Sequence, residues 1–83
     1  MELSFAKYEN DGEYQVKIEY DKDAGVWIAT SDDIVGLVLE SESFDELFKK
    51  VLTAAPELIE LNNLPKKISI RFSMNLHERL AIA

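Results

Sequence analysis

Tyr14-Gln15-Val16-Lys17-Ile18-Glu19-Tyr20 alternates apolar and polar side chains without a break, followed by Asp21-Lys22-Asp23-Ala24-Gly25 and then Val26-Trp27-Ile28-Ala29-Thr30. A period of two over seven residues is the mark of a strand with one buried face. The polar run ends in a glycine that tolerates positive φ, so the second apolar run returns beside the first as a hairpin. Ser31-Asp32-Asp33 breaks the chain again, and Gly36 precedes Leu37-Val38-Leu39-Glu40-Ser41, a third run of strand length. Three consecutive strands with short connections predict an antiparallel meander. Leu3 to Tyr8 is a candidate for an extra edge strand.

Ser43-Phe44-Asp45-Glu46 has the Ser-x-x-Glu spacing of a capping box, so a helix is expected to start there. Phe44, Leu47, Phe48, Val51, Leu52, Ala55, Leu58 and Ile59 follow at helical spacing and form one apolar stripe. Pro56 lies within the stripe, lacks an N–H and crowds the carbonyl of Leu52, which predicts a kink rather than a restart. Asn62-Asn63 suits a left-handed helix end, and Pro65 blocks continuation. Ile68-Ser69-Ile70-Arg71-Phe72 alternates once more and supplies a fourth strand. The tail from Ser73 to Ala83 has room for a helical turn or two capped by Ser73 or Asn75. The expected fold is α+β, β-β-β-α-β, with a small antiparallel sheet packed on one main helix, and residues 1–83 form a single domain.

Composition narrows the function. With 83 residues and no cysteine, the chain has no disulfide, thiolate nucleophile or cysteine metal site, and the cytoplasm is the expected compartment. Its first residues lack the basic and apolar regions of a signal peptide, and no apolar run approaches a membrane span. The net charge of −7 is uneven: residues 1–42 carry eleven carboxylates against three lysines, whereas residues 43–83 hold six basic and five acidic side chains. An acidic half repels phosphate backbones, which argues against nucleic acid, and draws in basic surfaces.

Catalytic motifs are sparse. Asp32-Asp33 is a carboxylate pair of the kind that holds a divalent cation, but adjacent side chains diverge and Asp is common in turns. His77 is the single histidine, with no nucleophile assigned to it by any motif. Gly12, Gly25 and Gly36 are isolated and make no phosphate-cradling loop. Trp27 suits either a small core or an interface anchor. Ile68–Phe72 with the tail has the look of the opening of a ribbon–helix–helix DNA-binding domain, but the chain holds no second helix to complete one. No cofactor and no enzymatic activity are expected.

Val16–Asp21, Ala24–Leu37 with its Asp33-Ile34-Val35-Gly36-Leu37 loop, Ser43–Leu47 and Pro56–Asn62 together resemble the HicB-like antitoxin superfamily, in particular its short stand-alone bacterial branch. The resemblance covers roughly residues 14–72; Val35 stands where the family has proline. It implies a partial ribonuclease-H-like fold without a working active site, commonly a homo-oligomer, that neutralises a small basic RNA-cleaving toxin of the HicA type. On that basis the expected partner-binding residues are Glu19, Asp21, Asp23, Trp27, Asp32 and Asp33. The alternatives are a homo-oligomeric scaffold or small-ligand domain without a toxin, and a residual metal-dependent nuclease using Asp32 or Asp33. The complete C-terminal DNA-binding domain typical of HicB proper has no counterpart after Ile68, so transcriptional repression is not expected.

Overall fold

The structure, a computed structural model, describes residues 12–67 and 69–74. The edge strand expected over Leu3–Tyr8, Ile68 at the start of the fourth strand, and the helical turns expected after Met74 lie outside the described residues. The chain forms β1 (Glu13–Asp21), β2 (Val26–Thr30), β3 (Val38–Ser41), α1 (Phe44–Leu61) and β4 (Ser69–Met74). This is the expected α+β order.

The sheet runs β3-β2-β1-β4. β1–β2 and β2–β3 are antiparallel, as the meander predicts. β4 departs from the expectation of a purely antiparallel sheet by pairing parallel to β1, with Tyr14 opposite Ile70 and Val16 opposite Phe72. The cause lies in the connection. β3 points the same way as β1, and one 18-residue helix, about 27 Å long, carries the chain back to the end where β1 begins. The next strand therefore starts alongside β1 and runs with it. Ser73 is part of that strand, opposite Lys17, and so does not cap a following helix.

Side-chain alternation divides the sheet into two faces. Tyr14, Val16 and Ile18 of β1 and Ala29 of β2 are buried under the helix, with Leu47, Val51 and Ala55 above them. Ile34 and Leu37, from the β2–β3 loop, complete this core. The helix stripe is narrower than the sequence suggests: Phe48 is 38% exposed and Leu52 48%. The reason is placement, because α1 packs over β2 and β3 and leaves its β4-facing flank uncovered. A row of rings nevertheless links both layers: Tyr20–Trp27 (4.9 Å between centroids), Trp27–Phe44 (5.3 Å), Phe44–Phe48 (6.4 Å) and Phe48–Phe72 (4.9 Å).

At the start of α1, Ser43 Oγ accepts the Glu46 N–H at 3.3 Å. The reciprocal half of the capping box is replaced, since the Ser43 N–H goes to Ser41 Oγ at 3.2 Å. The helix is continuous through Pro56 and is not divided. It ends with Asn63 at φ 54°, the left-handed residue expected of the Asn-Asn pair. Asn62 Nδ2 donates to Leu58 O (2.9 Å) and to Val35 O (3.3 Å), tying the helix end to the β2–β3 loop. The Tyr14 hydroxyl donates to Pro65 O and fastens the segment leading into β4. Among the described residues no helix is long and apolar enough to cross a membrane.

Candidate functional site

The face of the sheet turned away from α1 has no layer over it among the described residues. Its composition follows from the register. Glu19 of β1 is opposite Ile28 of β2, which is opposite Glu40 of β3, so two exposed carboxylate side chains flank a half-buried isoleucine. One row further along, Lys17, Thr30 and Val38 are aligned, and Val38 is 70% exposed. Asp21 and Val26 close the hairpin end of the face. Towards β4 the charge is balanced: Arg71 Nε donates to Glu13 Oε1 at 2.9 Å, and Nη2 to Oε2 at 3.3 Å. That pair raises the Arg71 guanidinium above its ordinary pKa, first through the hydrogen bond and then through the charge of Glu13. Both values lie above any working pH, so Arg71 stays charged and adds no pH dependence. The hairpin half of the face is thus acidic around an apolar centre, and the β4 half is neutral.

The expected partner-binding residues do not share this surface. Glu19 is on it, with Oε2 3.9 Å from Lys17 Nζ. Asp21 has a structural task at the hairpin: its Oδ1 accepts the N–H groups of Asp23 (3.0 Å) and Ala24 (3.2 Å), while its carbonyl accepts that of Gly25 (2.7 Å). Gly25 takes the positive φ of 70° that this turn requires. Asp23 is exposed at the tip. Trp27 points to the opposite face, between Tyr20 and Phe44, where it packs on the core as a small-core tryptophan.

Asp32 and Asp33 are at the far end of β1, beside Gln15, about 20 Å of strand from the hairpin. Asp33 is occupied there. The β1–β2 ladder ends at Lys17–Thr30, and beyond it side chains continue the pairing: Asp33 Oδ2 accepts the Gln15 N–H (2.8 Å) and Ser31 Oγ donates to Gln15 O (2.6 Å). Ser31 Oγ also accepts the N–H groups of Asp33 (3.1 Å) and Ile34 (3.0 Å). Among the described residues no three His, Cys, Asp or Glu side chains come together as a metal-holding group.

Glu40, Ile28 and Val38 are the surface residues that the sequence reading passed over. Their signal was present in the meander, because once β3 is placed beside β2 the alternation of Val38-Leu39-Glu40 puts Glu40 on the face of Glu19. A separate cleft of about 630 Å³, lined by Tyr14, Ile59, Lys66, Lys67 and Ile70 among others, opens between the helix C-terminus and β4. Lys67 Nζ stands 4.7 Å from the centroid of the Tyr14 ring.

The domain of unknown function DUF1902 matches residues 13–82, from the first residue of β1 to beyond β4. The chain belongs to the DUF1902 family. Its fold is also that of the hypothetical protein TTHA1013 from the extremely thermophilic bacterium Thermus thermophilus, known from a crystal structure. The two superpose with a TM-score of 0.67 at 31% identity, over 84% of this chain and 99% of that one. No curated protein matches the sequence. Membership of DUF1902 accounts for the fold and assigns no activity.

Proposed function

We propose that this DUF1902 chain is a non-enzymatic protein-binding domain that takes a small basic protein on the helix-free face of its sheet, in the manner of a HicB-type antitoxin holding a HicA-type toxin. The observation that supports this reading is the row Glu19–Ile28–Glu40, with Asp21 beside it. A half-buried apolar centre flanked by carboxylates suits a partner that offers an apolar anchor among lysines and arginines. The same charge disfavours a phosphate backbone. Asp33 and Trp27 drop out of the binding set in this reading, Asp33 because it lies at the far end of β1 and Trp27 because it packs on the helix side, and Glu40 joins it. A second reading, small-ligand binding, is supported by the cleft between the end of α1 and β4, whose apolar floor is edged by Lys66 and Lys67.

A pull-down of the tagged full chain from its native lysate at low and high salt tests the first reading. The expected outcome is a small basic protein, with RNA-cleaving activity that the chain inhibits, released by salt and lost when Glu19→Lys and Glu40→Lys are combined. Recovery of the same proteins by the double variant would sink the assignment of this surface.

A further inference from the structure

We propose that β4 is the interface through which two copies of this chain join into one continuous sheet, the four described strands of one copy running on into those of the other. Ser69 donates its N–H to Gly12 O at 3.0 Å, so Ser69, Arg71 and Ser73 direct their backbone groups towards β1. By the two-residue period of a strand, the N–H and C=O groups of Ile70 and Phe72 point the other way, off the sheet, where no described strand lies. The opposite edge is guarded. β3 has four residues, carries Glu40, and has Lys50 Nζ on Glu40 O at 3.1 Å. β4 has six residues, and its one charged side chain, Arg71, is turned back onto Glu13 of β1.

Side chains make the β4 edge suitable for a copy of itself. In a protein of net charge −7, β4 contains no carboxylate, and its one charge, Arg71, is already paired with Glu13. On the helix side, Phe72, Met74 (47% exposed) and the flank of α1 at Phe48 and Leu52 form an apolar shelf beside this edge. A two-fold axis perpendicular to the sheet, centred on Phe72, pairs β4 antiparallel with its copy. It sets Phe72 against Phe72 and Ile70 against Met74 of the second copy, and Arg71 against Ser73. The neighbouring register, with Ile70 against Phe72, would place Arg71 opposite Arg71 and is disfavoured by like charge. The pairing is isologous and closes at two copies. Both shelves then meet on one side of the joined sheet, and both acidic faces remain open on the other. The inference does not depend on whether a basic partner occupies them.

Sedimentation equilibrium of the full chain over micromolar to millimolar concentration is the test, with two variants. The unaltered chain is expected as a dimer. Met74→Asp, which puts a carboxylate against Ile70 of each copy, is expected to weaken the dimer roughly tenfold or more while far-UV circular dichroism is unchanged. Because the chain has no cysteine, Arg71→Cys combined with Ser73→Cys should give a covalent dimer on a non-reducing gel after oxidation by oxidised glutathione, and Ser73→Cys alone should not. A chain that is monomeric throughout overturns the proposal. So does a dimer that Met74→Asp leaves intact and the paired cysteines fail to trap.

Discussion

Asp21 and Asp33 look alike in the sequence, carboxylates beside turns, and each accepts backbone N–H donation that would otherwise go to water. Ser31 does the same work with a hydroxyl that donates once and accepts twice. Ser31→Ala removes the acceptor and donor together, and should cost about 1–2 kcal/mol in urea unfolding. Amide exchange at Ile34 should quicken. Equal stability and unchanged exchange would mean that water replaces the hydroxyl without loss. Gly36 is constrained differently: its φ is 86°, and an added Cβ would come within 3.4 Å of Leu58 Cδ2. Gly36→Ala should therefore lower the stability by about 1–2 kcal/mol, chiefly through the left-handed backbone. Ile34, two residues before this glycine, is buried although it lies in a loop, and a single apolar residue in a loop has no period by which a sequence reveals it.

The four described strands and the helix appear where alternation and capping residues place them, with ends displaced by at most two positions. Helix α1 shows what such patterns leave open. Its i, i+4, i+8 line of Leu47, Val51 and Ala55 is buried, whereas Phe48 and Leu52 share the apolar stripe and stay exposed. Periodicity gives the apolar side of a helix, but the width actually covered depends on which strands lie beneath it. Pro56 is exposed, is the thirteenth position of an 18-residue helix, and contributes no N–H. Pro56→Ala should stabilise the chain by about 1–3 kcal/mol, less whatever the proline contributes by stiffening the unfolded state. A rise in the urea midpoint without a change in slope is the expected result. A fall would show that the proline is needed for the helix to follow the sheet.

In the whole molecule, charge and apolar surface are sorted onto different sides by the order of the strands. The acidic row Glu19–Ile28–Glu40 joins residues more than twenty positions apart, on one face, at the hairpin end. The neutral edge and shelf of β4 lie across the sheet from it. The edge proposed for a second copy and the face proposed for a basic partner are therefore different surfaces. Local sequence determined the elements, because alternation, capping spacing and turn residues act over a few neighbours, and it determined the acidity of the first half. It also determined the hairpin and meander, whose partners follow one another along the chain. Only the tertiary structure decided that β4 lies beside β1, that Trp27 belongs to the core face, and that the register sets Glu40 directly across Ile28 from Glu19. Those three depend on strand order and register, which are set by long-range packing of the helix across the sheet, and no short stretch of sequence encodes them.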